Sequence, residues 1–333
     1  MNISTEELIK KTEISEGIQD VKFAEDVLIG LSASPKHLSS KYFYNKKGDQ
    51  IFQQIMQMPE YYPTDCELFI FKKYKNELMQ HFSGKPGFFD LIEFGAGDGM
   101  KTKVLLSHFL AKQANFKYLP IDISANILKH LSDDLNQNMP LLNVETLQGD
   151  YFDSLAQLNL VDSQKKVVLF LGSNIGNFTP MGTVDFLSQL NQNLAKGDML
   201  LIGFDLKKDP QVILRAYNDP HGITKAFNLN LLQRINDELD ADFNLDNFQH
   251  YPFYDPVSGE CRSYLVSTLA QEVHVKSLNT SFHFHAWETL HTEISRKYDL
   301  HFIDSLADKT GFELVENFFD DNHYYVNSLW QVK

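Results

Sequence analysis

The stretch Leu91-Ile92-Glu93-Phe94-Gly95-Ala96-Gly97-Asp98-Gly99-Met100-Lys101-Thr102 decides the fold. It reads as a buried strand that runs into three glycines and then a helix start. Glycines let the backbone turn tightly and approach a ligand closely. The flanks follow the same rhythm. Short apolar runs at 88–94, 116–123, 143–148, 167–171 and 199–204 alternate with amphipathic segments at 102–112, 125–136 and 184–194. That alternation predicts βαβ units around a parallel sheet, a Rossmann-like α/β fold.

Outside this core the texture changes. Residues 1–85 read as helices: Ile51, Phe52, Ile55 and Met56 share one helical face within Asp49–Met58, and a second helix is expected over 65–82, before the Gly-Lys-Pro-Gly breaker at 84–87. Residues 207–260 read as helical with Asx-rich turns, and 261–297 alternate like antiparallel strands. The end returns to α/β character, with a helix over 300–310, Gly311 as its cap, and a terminal antiparallel hairpin from 312–319 and 323–332. The expected organisation is a sheet domain at 70–206 and 298–333, interrupted by an α+β domain built from 1–69 and 207–297.

Two acids give the glycine loop a chemical direction. Asp122 ends the strand after the loop, where a carboxylate can take ribose hydroxyls. Asp150 follows the next strand, placed to accept from an adenine amino group. Either alone would more ordinarily be a cap or turn residue. At successive strand ends of an open sheet they point to a cofactor. The G-x-G-x-G spacing is not the G-x-G-x-x-G of dinucleotide binders, and Asp122 comes later than the roughly 20-residue interval of that fold. An NAD-dependent dehydrogenase is therefore the weakest reading. A nucleoside without pyrophosphate fits better, S-adenosylmethionine being the commonest, with Lys101 as a cation for the carboxylate of its methionine part.

Composition excludes other classes. The chain has 333 residues, 43% hydrophobic and 22% charged, with a net charge of −14. Such an acidic surface repels nucleic-acid phosphates. The two cysteines, Cys66 and Cys261, share no C-x-x-C spacing and read as reduced thiols of a cytoplasmic protein. The polar opening MNISTEELIKKTEISEG has no apolar leader region, and no apolar run is long enough to span a bilayer. His283, His285 and His291 lack supporting ligands, so no metal is expected. Ser173 has no G-x-S-x-G context. A monomer is the favoured state.

Longer motifs then stand out: YFYNKKGDQIFQQIMQMPEYYPTDCEL from Tyr42 to Leu68, LGSNIGN from Leu171 to Asn177, GFDLKKDP from Gly203 to Pro210, AFNLN from Ala226 to Asn230, and TEIS from Thr292 to Ser295. With the glycine loop they resemble the histidine-specific S-adenosylmethionine-dependent methyltransferases, the ergothioneine-pathway L-histidine Nα-methyltransferase family, over almost the whole chain past residue 35. The resemblance implies an α-N-methyltransferase of L-histidine forming the N,N,N-trimethyl betaine, with a Rossmann-like methyltransferase sheet and an inserted substrate-recognition domain. It implies that Gly95, Gly97, Lys101, Asp122, Asp150 and Tyr151 bind the cofactor. It also implies that Asn177 and Tyr217 hold the amino-acid end of histidine, with Tyr44 at the reacting nitrogen, and that Tyr61, Glu293 and Ser295 surround the imidazole; Tyr44 and Asn177 would be the catalytic contacts. One position departs from the pattern: Ser263 stands where the characterised histidine enzymes align a methionine. The alternatives kept open are the same chemistry on another aromatic amino acid or derived amine, and a non-catalytic cofactor-binding sensor.

Overall fold

A computed structural model of the chain describes residues 20–83, 87–151, 154 and 165–333. The polar opening at 1–19 and positions 84–86 of the expected breaker lie outside the described residues. Along the chain come α1 (Val21–Ser32), β1 (Lys36–His37), α2 (Lys46–Met56), α3 (Tyr62–Ser83), β2 (Phe89–Phe94), α4 (Thr102–Ala111), β3 (Phe116–Asp122), α5 (Ala125–Asn138) and β4 (Leu147–Gln148). They are followed by β5 (Lys166–Phe170), α6 (Pro180–Gln192), β6 (Met199–Asp205), α7 (Pro210–Tyr217), α8 (Ile223–Leu239), β7 (Phe248–Asp255) and β8 (Glu260–Ser267). The last elements are β9 (Gln271–Val275), β10 (Thr280–Phe284), β11 (Thr289–Arg296), α9 (Leu300–Lys309), β12 (Phe312–Phe319) and β13 (Tyr325–Val332).

The chain divides into two compact units. One comprises Tyr62–Asp209, Pro256–Gly259 and Ser295–Lys333. Its seven-stranded sheet has the order β12-β13-β6-β5-β2-β3-β4. Strands β4, β3, β2, β5 and β6 run parallel, while β13 is antiparallel to both β6 and β12. Both faces are covered, so the central strands are apolar throughout and feed two cores by alternation. Leu91, Val167, Leu169 and Leu201 join Ile70, Phe71, Phe82, Leu105 and Phe109 of α3 and α4. Ile92, Phe94, Val168, Phe170 and Ile202 face Phe186, Leu187 and Leu190 of α6 and Ile303 and Leu306 of α9. The chain order reverses at β2, which pairs with β3 on one side and β5 on the other. In open α/β sheets ligands bind beyond the carboxyl ends of the strands at such a switch point.

The other unit comprises the chain up to Tyr61 with Pro210–Asp255 and Glu260–Ile294. A sheet of order β1-β11-β8-β7 and the small β9–β10 ladder enclose a core with α1 and α8, including Phe23, Leu28, Phe43, Leu231, Ile235, Leu265 and Leu290. Asparagines of the long motifs hold this unit together. Asn45 caps α2 by accepting from Gly48 N at 2.8 Å, and also accepts from Asn230 at 3.0 Å. Fully buried Asn228 accepts from Thr292 Oγ1 at 2.6 Å, tying α8 to β11. Each bond satisfies a polar group that burial would otherwise penalise.

The structure moves several expected boundaries. A cut at 69/70 would divide α3, which begins at Tyr62, directly after the Pro59 turn. The return to the sheet unit comes at Ser295 rather than 298, inside β11, and the departure after Asp209 rather than 206. Residues 248–255, read as part of a helical stretch, form β7, paired with β8 from Phe248↔Ser267 to Asp255↔Glu260. The run at 143–148 contributes only Leu147–Gln148 as strand, with a single bridge from Val144 to Tyr118. Helix α6 starts at Pro180, capped by Thr179 accepting from Gly182 N at 3.1 Å.

Candidate active site

The glycine loop leaves β2 in the left-handed region, with φ of 70° at Gly95 and 56° at Gly97. A side chain is strained at either position. At Gly95 space is short as well: an added Cβ would lie 2.8 Å from the Tyr151 hydroxyl and 2.9 Å from Asn174 Nδ2. At Gly97 the same atom would meet none of the described residues within 4 Å, so among them the loop borders open ground there. Asp122, at the end of β3, accepts from Gly97 N at 3.0 Å and Ser124 N at 2.9 Å, one bond on each carboxylate oxygen. Burial raises its carboxyl above the usual range, against these backbone bonds. Each oxygen keeps a second lone pair for a ribose hydroxyl. Gly149 N donates to the carbonyl of Asp122 at 3.1 Å, which brings Asp150 to the neighbouring strand end. Tyr151 then packs edge-on against Phe94, Phe170 and Phe178 beside the loop.

Beneath the loop lies Glu93, fully buried, which accepts from Thr102 Oγ1 at 2.7 Å and from the Tyr118 hydroxyl. Burial pushes its carboxyl up to about 7 despite both bonds. It clamps the start of α4 to β3.

Lys101 is paired with Glu67, a carboxylate with no exposure on α3. Glu67 also accepts from Gly172 N at 2.9 Å, the Tyr325 hydroxyl at 3.1 Å and Asn327 Nδ2 at 3.3 Å. An ammonium has three donors, so this pairing fixes Lys101 and leaves it able to take a second carboxylate. Open space off Gly97, a carboxylate at a strand end and a held ammonium fit the nucleoside, ribose and amino-acid parts of S-adenosylmethionine.

Of the residues that the resemblance assigns to the amino acid, Tyr44, Tyr61, Tyr217 and Glu293 belong to one unit, and Asn177 and Ser295 to the sheet unit. Tyr44 meets Phe52 and Phe227 edge-on, at 5.5 and 5.7 Å, and Tyr61 meets the same Phe52 at 6.3 Å. Both tyrosines thus pack against Phe52. Tyr217 closes α7 and is buried. Glu293 accepts from Ser263 Oγ at 3.2 Å, so the departing residue touches the expected imidazole ligand directly. In the sheet unit, Asn177 ends a short 3₁₀ turn, Asn174–Asn177, beyond the carboxyl end of β5. Ser295 follows Glu293 by two on β11 yet has a different partner, accepting from Lys297 Nζ at 2.8 Å. Lys297 pairs at 2.9 Å with Asp205, which also holds Lys208 and accepts from the Tyr62 hydroxyl at 2.9 and 2.8 Å. Burial raises the Asp205 carboxyl, but the two lysines hold it below the usual carboxylate range.

Glu67, Glu93, Asn174 and Lys297 were not picked out by sequence reasoning. Glu67 had a signal: it interrupts the apolar face of α3 made by Pro63, Ile70 and Phe71, and a carboxylate there must be paired.

A family model for histidine-specific, S-adenosylmethionine-dependent methyltransferases matches residues 23–332. The chain belongs to this family. It is 37% identical over 273 residues to histidine N-alpha-methyltransferase of Mycolicibacterium smegmatis, covering 82% of this chain and 83% of that one. The histidine N-alpha-methyltransferase of Mycobacterium tuberculosis is 34% identical over 273 residues, with the same coverage of 82% and 83%. An L-tryptophan methyltransferase of Psilocybe serbica is 27% identical over 326 residues, 90% of each chain. This methyltransferase uses S-adenosylmethionine as methyl donor. Among the described residues, no group of three or more His, Cys, Asp or Glu could hold a metal ion, and no helix is long and apolar enough to cross a membrane.

Proposed function

We propose that this methyltransferase acts on the α-amino group of free L-histidine, in up to three successive transfers that end at the trimethyl betaine. The observation that carries the reading is Glu293, a half-buried carboxylate next to Ser295 in the TEIS motif, set in a chain 37% identical to a histidine enzyme. A carboxylate accepts an imidazole N–H, and a hydroxyl serves the second ring nitrogen as donor or acceptor. S-adenosylmethionine supplies an electrophilic methyl on a sulfonium.

In each transfer the nitrogen lone pair forms the N–C bond as the C–S bond breaks, leaving a neutral thioether. The amine must first lose a proton. Asn177 and Tyr217 would hold the amino-acid end with uncharged groups, which do not favour the ammonium as a carboxylate would. Tyr44 would orient the nitrogen, so the residues mainly position the reactants and exclude water. The third product has no lone pair, and the sequence of transfers stops by itself. In this reading the sheet unit binds the cofactor, and the protein works as a cytoplasmic monomer with reduced Cys66 and Cys261.

Ser263 favours a second reading. Its hydroxyl occupies one oxygen of Glu293, where the family resemblance places a methionine. Another aromatic amino acid would then be the substrate, as the name of the Psilocybe serbica relative illustrates. Mass spectrometry of an amino-acid panel with S-adenosylmethionine separates the two: histidine should gain up to three methyl groups while tryptophan, tyrosine and phenylalanine gain none. Calorimetry should find histidine affinity reduced at least tenfold in Glu293→Ala, as loss of a hydrogen bond to a charged group implies, with S-adenosylhomocysteine affinity unchanged. Equal histidine binding by both proteins would remove Glu293 from the site.

A further inference from the structure

We propose that Asn174 is a further cofactor-binding residue, whose side-chain amide grips the amino-acid end of S-adenosylmethionine. The inference rests on the cofactor reading and is independent of which amine is methylated. Asn174 opens the short turn after β5, directly behind Ser173, whose φ of 58° swings the chain back over the sheet end. Its Nδ2 lies 2.9 Å from the Cβ position of Gly95, the first glycine of the loop. Its Oδ1 and Nδ2 lie 3.8 and 3.9 Å from the Cβ position of Gly172. Lys101 Nζ approaches that same point to 3.4 Å. A neutral amide and an ammonium thus converge over one glycine, at the carboxyl ends of β2 and β5 and on the switch-point side of the sheet.

The amide has no structural duty that explains this placement. Among the described residues its side-chain amide makes no hydrogen bond. The local backbone is satisfied without it, since Asn174 N donates to the carbonyl of Leu171 at 3.3 Å. The chemistry of the pair is complementary. The amino-acid end of the cofactor carries a carboxylate and an ammonium. Lys101, with donors only, suits the carboxylate and repels the ammonium. An amide offers the missing acceptor through Oδ1, together with two N–H donors.

Two ligands that differ only at this end test the proposal. S-adenosylhomocysteine has the amino-acid part, and 5′-methylthioadenosine has the same nucleoside and thioether without it. Calorimetry on the full chain and on Asn174→Ala should show S-adenosylhomocysteine weakened by roughly tenfold to a hundredfold, the range expected when a hydrogen bond to a charged group is lost. Methylthioadenosine affinity should stay within about twofold, and its retention reports that the variant is folded. Unchanged S-adenosylhomocysteine affinity would overturn the proposal, and so would equal weakening of both ligands, which would assign Asn174 to loop structure. If the unsubstituted chain bound neither ligand, the cofactor reading itself would fail, a result distinct from either.

Discussion

At the scale of single residues, the buried charges explain more than the exposed ones. Glu67 has no exposure and is surrounded by Lys101, Gly172 N, the Tyr325 hydroxyl and Asn327. Its charge positions Lys101 and, through Gly172 N, the turn that carries Asn174 and Asn177. Glu67→Gln keeps the shape but leaves the Lys101 ammonium without its counter-charge. Breaking a buried pair from one side costs about 3–5 kcal/mol, whereas replacing both partners with apolar groups is often near neutral. Urea unfolding should therefore find Glu67→Gln destabilised by about 3 kcal/mol, toward the low end because Lys101 retains 18% exposure. The double variant Glu67→Leu/Lys101→Met should recover most of that loss and still fail to bind S-adenosylhomocysteine normally. A double variant as unstable as the single one would show that the two charges are not coupled.

At the scale of elements, the turn from β2 to α4 separates folding from binding. Gly95→Ala pays for a left-handed φ, about 1–2 kcal/mol, and drives Cβ into Tyr151 and Asn174. Gly97→Ala carries the same backbone penalty, but its Cβ enters open space. Thermal unfolding should show a small shift for Gly97→Ala and a larger one for Gly95→Ala, while calorimetry shows both losing S-adenosylhomocysteine affinity by roughly tenfold or more, beyond the strain alone. Wild-type affinity in Gly97→Ala would place the cofactor elsewhere. This turn was legible in the sequence because all its determinants are local: an apolar strand, three glycines and a helix start within twelve positions. Asp122 was legible for the same reason, as the last residue of a strand. Strand β7 was not. Its alternation is interrupted by Pro252, and its partner β8 comes only afterwards in the chain, so the pairing that makes it a strand is not written in the segment itself. Ser295 was assigned through the family resemblance, but its bond to Lys297 and the link to Asp205 depend on a sheet closed by distant segments. Asn174 gave no signal, since an asparagine after glycine and serine reads as a turn.

At the scale of the molecule, a buried carboxyl of the sheet unit and a half-buried imidazole of the other unit respond to pH in opposite directions. In the sheet unit, burial raises Glu93 from 4.5 to about 7. A carboxyl whose folded value lies above its unfolded one binds its proton more tightly when folded. Its stabilisation is complete below pH 4.5 and is lost as pH rises toward 7, by about 3 kcal/mol in all. In the other unit, burial lowers His250 from 6.5 to about 4, and its buried Nε2 has no hydrogen-bond partner among the described residues. This contribution is complete above pH 6.5 and is lost as pH falls toward 4, by a similar amount. Between pH 4.5 and 6.5 the two slopes nearly cancel, so the unsubstituted protein should show little change from this pair. Removing either group should uncover the other. In Glu93→Gln the fall with rising pH disappears, so stability relative to the unsubstituted protein should increase from pH 5 to pH 7. In His250→Phe the opposite trend is expected, with relative stability decreasing over the same interval. Urea midpoints for the three proteins at pH 5, 6 and 7 check both signs at once, and parallel curves for all three would mean that neither group titrates as its burial requires.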